Sequence, residues 1–107
     1  MSRASATASV YSVISDPTRR AILSALAKGQ KNPSELCSLT GASPSSASQH
    51  LAVLLSVGLV SRTRHGREQH YRIEAGPLRE VRDWVRHFDR FWDDKLAALG
   101  EYLEKKQ

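Results

Sequence analysis

A chain of 107 residues, 40% apolar and 25% charged, has room for one domain around one core, and no stretch reaches the ~20 continuous apolar residues of a membrane span. The single cysteine, Cys37, excludes an intramolecular disulfide, and the polar start over 1–9 lacks the apolar run of an export signal. The expected setting is therefore the reducing cytoplasm, with no membrane partner. The net charge of +5 resides in residues 1–76, where nine Lys or Arg face four acids; residues 77–107 carry seven of each sign and five of the seven aromatics. The first part suits a polyanion and the last does not.

The prolines punctuate the chain. Asp16-Pro17, Asn32-Pro33 and Ser43-Pro44 each place a side-chain acceptor before a residue favoured at the first helical position, and Gly76-Pro77 marks a fourth start. Asn32 with Glu35 resembles a capping box. Gly29, Gly41 and Gly58 stand where helices should stop, because glycine enters the left-handed region cheaply.

These signals predict a first helix over 4–14, with Val10, Tyr11, Val13 and Ile14 as apolar anchors. A second follows over 17–28 (Ile22, Leu23 and Leu26 inward) and a third over 33–40 (Leu36 and Leu39). The fourth, over 44–57, buries Ala47, Leu51 and Leu54 at i, i+4, i+7. Strands over 59–65 and 68–73 flank a His65-Gly66-Arg67 turn. A last helix begins at Pro77 and keeps a three-four apolar rhythm from Leu78 to Leu103, ending near residue 104. The expected fold class is mainly α with a small β-hairpin: five helices and a two-stranded wing in a single domain over 1–107.

A short helix, a glycine turn and a longer helix make a helix-turn-helix, here over 33–57, whose second helix enters the DNA major groove. Its outer surface presents Ser45, Ser46, Ser48, Gln49, Ala52 and Ser56, without charge, and Gln49 has the donor and acceptor to pair with adenine. The hairpin over 59–73 carries Arg62, Arg64, His65, Arg67 and Arg72 against Glu68, which suits the phosphates beside a groove. Each feature alone has a plainer reading, as a solvated helix face and as a strand edge guarded by charge. Their succession favours double-stranded DNA.

The segments Ser15-Asp16-Pro17-Thr18-Arg19-Arg20-Ala21-Ile22-Leu23, Ser48-Gln49-His50-Leu51-Ala52-Val53-Leu54, Gly58-Leu59-Val60, Gly66-Arg67 and Tyr71 resemble the ArsR-type winged-helix repressors over roughly residues 8–75. Pro77-Leu78, Trp84-Val85 and Phe91-Trp92 are similar to a non-metal branch with an aromatic last helix. The resemblance implies a homodimer whose first and last helices pair and whose fourth helices, His50 included, lie on a palindromic operator. Such relatives carry basic or polar residues where Ala52 and Leu55 stand here, so phosphate binding should rest more on the wing and on Arg19, Arg20, Lys28 and Lys31.

Metal-sensing relatives carry two cysteines on the third helix; here Cys37 remains and Leu39 replaces the second. One thiolate does not make a soft-metal site, and on the last helix Asp83 and His87 are followed by no further histidine, so neither metal nor cofactor is expected. His50, His65, His70 and His87 fall on different elements, and no nucleophile-base pairing stands out, so the chain is not expected to be an enzyme. Arg79–Asp83, Arg90–Asp94 and Glu101–Lys105 read as helix-surface pairs.

One unbroken last helix would run ~35 Å from Pro77 to Leu99, more than the ~13 Å radius of a compact chain this long. Its apolar surface includes a second stripe of Trp84, Phe91 and Tyr102, too wide for one neighbour. A homodimer is expected through the helices over 4–14 and 77–104, with Val10, Tyr11, Ile14, Trp84, Phe88, Phe91, Trp92 and Leu99 at the interface. The expected function is sequence-specific transcriptional repression. Two alternatives remain: a repressor switched at the Cys37 thiol, and a winged-helix module that captures another protein without binding DNA.

Overall fold

The computed structural model describes residues 9–105. Its elements in chain order are α1 (Val10–Ile14), α2 (Pro17–Leu26), α3 (Pro33–Thr40), α4 (Pro44–Ser56), β1 (Val60–His65), β2 (Glu68–Ile73), a 3-10 turn (Gly76–Leu78), α5 (Arg79–Arg86) and α6 (Asp89–Lys105).

The side-chain caps form where the proline pairs place them. Asp16 accepts from the Arg19 N–H at 2.9 Å, Ser43 accepts from Ser46, and Asn32 and Glu35 complete a reciprocal capping box. At the far end of α3, Gly41 takes φ 76°, a left-handed cap that turns the chain sharply into α4. Gly66 (φ 64°) is the first of two residues between β1 and β2, a tight turn that sets the register His65↔Glu68 through Val60↔Ile73.

A core of Val13, Ile22, Leu23, Leu26, Leu36, Leu51, Leu54, Leu59, Val60 and Tyr71 gathers α1–α4 against the base of the hairpin. Outside the hairpin, Lys31 exchanges both backbone hydrogen bonds with Tyr71, at 3.0 and 2.8 Å, which ties the loop before α3 to β2. The base of the wing is thus tied to the helix-turn-helix by backbone hydrogen bonds.

Five expectations are corrected. The helix expected over 4–14 starts at Val10 behind the N-cap Ser9, and residues 4–8 lie outside the described residues. The second helix ends at Leu26, with Ala27 as its cap, two residues short of Lys28. Leu39 is 61% exposed, because the eight-residue α3 turns only Leu36 fully into the core. Gly76-Pro77 opens a 3-10 turn without a side-chain cap. The long last helix is two helices, so the described residues hold six α-helices where five were expected. At the break, the N–H groups of His87 and Phe88 bond three residues back, to Trp84 and Val85, and tighten the backbone. No proline or glycine stands there to announce it.

After that break α6 leaves the core. None of its residues is buried, and the radius of gyration reaches 18.4 Å against ~13 Å for a compact chain of this length. Among the described residues the one ion pair on α5 and α6 is Arg82–Asp83 at 3.2 Å, so the expected i,i+4 pairs are not closed. No helix among the described residues is long and apolar enough to cross a membrane.

Candidate nucleic-acid interface

The packing of α4 decides which of its residues face outward. Ala47, Leu51 and Leu54 are buried, which leaves Ser45, Ser48, Gln49, Ala52 and Ser56 exposed and Ser46 half-exposed. Ser43 and Ser45 hydroxyls lie 3.4 Å apart at the helix start. Among the described residues, the side chains of Ser48 and Gln49 have no intramolecular partner, so their hydrogen-bonding capacity is available to a ligand.

Register sorts the wing into two faces. Arg62 stands opposite Tyr71 and Arg64 opposite Gln69, so both arginines share the face that carries Val60 and Tyr71 at its base. Thr63 opposite His70 and His65 opposite Glu68 share the other face with Arg72. There the His65 and His70 rings meet edge to face at 4.7 Å, and His70 Nε2 lies 3.1 Å from Glu68 Oε1. The sequence places His65 and His70 on different elements, and only the strand register brings the two rings together. Among the described residues, Arg62, Arg67 and Arg72 have no intramolecular hydrogen bond or ion pair, while Arg64 uses Nε on the Gly66 carbonyl at 3.2 Å. Arg62, Arg64, Arg67 and Arg72 thus place four exposed guanidinium groups on one hairpin, against the single acid Glu68.

Other candidates are engaged inside the domain. Arg20 donates to the carbonyls of Ile14 and Ser15 at 2.8 and 3.0 Å. Arg19 donates from Nε to the Val13 carbonyl at 2.7 Å and from a terminal nitrogen to His50 Nδ1 at 3.3 Å. His50 is half-buried on the core side of α4, with Nε2 3.9 Å from Asp16 Oδ2. The Arg19 N–H hydrogen bond, aided by the Arg19 charge, holds the Asp16 carboxyl below the ordinary aspartate value against a smaller opposing effect of burial. Lys31 is half-buried with Nζ 3.4 Å from the Gly29 carbonyl, and Lys28 is exposed.

The expected pairing residues split likewise. Val10 and Ile14 pack partly against their own core. Tyr11 meets Trp84 edge to face at 6.3 Å and donates to the Glu80 carbonyl at 3.2 Å, which fastens α1 to α5. Partial burial, then the Glu80 and Asp83 carboxylates, push its phenol up, so it stays a neutral donor. Trp84, Val85, Phe88, Phe91 and Trp92 line an open groove of about 300 Å³ at the α5–α6 break. Cys37 is a half-buried free thiol, and among the described residues no three His, Cys, Asp or Glu side chains gather as a metal site.

A short helix, a left-handed glycine turn, an outward-facing neutral helix and an arginine-rich hairpin define a winged helix-turn-helix DNA-binding domain. A family model described as bacterial regulatory protein, arsR family, matches residues 16–62. The chain is 36% identical over 100 residues to the uncharacterized HTH-type transcriptional regulator YdfF of Bacillus subtilis, across 92% of this chain and 43% of YdfF. It is 31% identical over 87 residues to the transcriptional repressor SdpR of Bacillus subtilis, across 81% of this chain and 97% of SdpR. Thus it spans less than half of YdfF but nearly all of SdpR. Among solved structures, it is similar to the homodimeric winged helix-turn-helix DNA-binding domain of a possible ArsR-family regulator from Mycobacterium bovis, with a TM-score of 0.61 and 30% identity over 76% of this chain and 75% of that one. The chain belongs to the ArsR family of bacterial transcriptional regulators, which are not enzymes.

Proposed function

We propose that the chain is a cytoplasmic homodimeric repressor that occupies a palindromic operator and blocks transcription. Each protomer lays α4 in the major groove, where Ser45, Ser46, Ser48 and Gln49 meet base edges or flanking phosphates. Arg62, Arg64 and Arg67 of the wing grip the backbone alongside.

The observation that carries the pairing is the uncovered face of α6: Phe91, Trp92, Leu96, Leu99, Tyr102 and Leu103 are 50–64% exposed. Full burial of such a side chain is worth ~1.5–3 kcal/mol. They are about half exposed, so covering what remains of a dozen across two protomers gives roughly 9–18 kcal/mol against an association cost of ~4–15 kcal/mol. The balanced charge of residues 77–107 lets the same patch meet itself without net repulsion. The homodimeric state of the Mycobacterium neighbour supports pairing with a second copy. Two-fold symmetry then sets the α4 helices about one DNA turn (~34 Å) apart.

Sedimentation of the pure protein combined with duplex selection tests this. The expected result is a dimer that selects an imperfect palindrome, with Phe88→Glu plus Trp92→Glu giving single subunits that lose it. A parent that sediments as one subunit and shifts no duplex, even at low salt, overturns the proposal.

A further inference from the structure

We propose that Arg19 is a positioning residue for DNA reading, a strut that holds the angle of α4 through His50 rather than a contact to phosphate. The inference rests on the reading that α4 meets the bases.

A guanidinium donates and never accepts, so the 3.3 Å contact from Arg19 makes His50 Nδ1 the acceptor and leaves the Nε2 hydrogen toward Asp16, 3.9 Å away. The second donor of the same fork, Nε, is fixed at 2.7 Å on the Val13 carbonyl at the end of α1. Arg19 therefore spans α1 and α4 from its seat on α2. The first turn of α2 is itself held by the Asp16 cap on the Arg19 N–H.

Such a strut supplies what the core does not. Ala47, Leu51 and Leu54 hold α4 by apolar burial, which is non-directional and tolerates small rotations. Base readout requires side chains placed within ~0.5 Å. Among the described residues, His50 is the α4 side chain with a hydrogen bond to another helix, so it fixes the rotation that burial leaves soft. The far end of the strut is anchored too, since α1 is fastened to α5 by Tyr11 on Trp84 and on the Glu80 carbonyl. A lysine at position 19 keeps the charge but offers one nitrogen in place of a planar fork, and does not satisfy Val13 and His50 together.

The experiment measures binding to the operator selected by the parent and to a random-sequence duplex, over a salt series, with thermal unfolding recorded for every variant. Arg19→Lys is expected to lose about tenfold in operator affinity, with random-duplex affinity and salt slope unchanged. His50→Leu should reproduce that loss, and His50→Asn, whose Oδ1 stands where Nδ1 stood, should restore the operator preference. The double variant Arg19→Lys with His50→Leu should be no worse than either single one, because both remove one contact. A phosphate contact gives the opposite pattern: Arg19→Lys near the parent on both duplexes, and Arg19→Ala weaker on both with the salt slope reduced by about one per protomer. That pattern, or a His50→Leu variant with parental operator preference, overturns the proposal. If Arg19→Lys does not fold, the Leu and Asn pair at position 50 decides. A parent that binds no operator refutes instead the reading of α4.

Discussion

Replacing Arg64 and Arg67 with alanine isolates the electrostatic part of the interface. Both side chains are exposed, Arg67 has no intramolecular partner among the described residues, and Arg64 has only the Gly66 carbonyl. Stability should therefore change by no more than ~0.5 kcal/mol. Each phosphate neutralised contributes ~0.9 to the slope of log affinity against log salt. Two arginines on each of two wings remove about four contacts, so the slope becomes shallower by ~3.5 and affinity at ~0.15 M salt falls by nearly three decades. Fluorescence anisotropy against operator and random duplexes, from ~50 to 200 mM salt, reads both quantities. Operator and random affinities should fall together, because phosphates carry no sequence. An unchanged slope, or a loss confined to the operator, would refute the assignment of the wing to the backbone.

Gln49→Ala should do the converse, lowering discrimination among operator variants by ~1–3 kcal/mol at one base position while the salt slope holds; competition with single-base operator variants checks it. Leu54→Ala empties a fully buried site between α4 and its neighbours and should cost ~2–5 kcal/mol, seen as a large fall in the urea midpoint. At Gly41 an added Cβ meets nothing within 4 Å, so Gly41→Ala should cost only the strain of φ 76°, ~1–2 kcal/mol by the same assay. Asp16 has a lowered native pKa, so its contribution is complete above the ordinary aspartate value (~3.9) and disappears as pH falls through the native one. Asp16→Asn, which keeps a capping oxygen, should flatten that acid limb in urea midpoints followed from about pH 6 to pH 2, and an unchanged limb would show that other carboxylates produce it.

The architecture was legible because its signals are local. A capping residue before a proline acts within one turn, and so the starts of α2, α3 and α4 read directly from Asp16-Pro17, Asn32-Pro33 and Ser43-Pro44. The two strands likewise followed from alternation around Gly66. The break at His87–Phe88 carried no such mark, and the steady apolar rhythm on either side of it reads as one helix. Leu39 fits the apolar pattern of α3, yet it faces outward because α3 is short and the neighbours of Leu36 already fill the core.

Charge located in residues 1–76, the neutral outer surface of α4 and the arginine-rich hairpin were thus written in the chain itself, since residue type and spacing alone specify them. Tertiary structure decided which of those cations remain available. The fold turns Arg19 and Arg20 onto carbonyls of α1 and tucks His50 between Asp16 and Arg19, while the wing arginines project from a hairpin whose base alone is buried. A cation's partner depends on which helix end or strand edge the fold brings within hydrogen-bonding reach, and that proximity joins residues as far apart as 19 and 50, whose separation along the chain carries no trace of it.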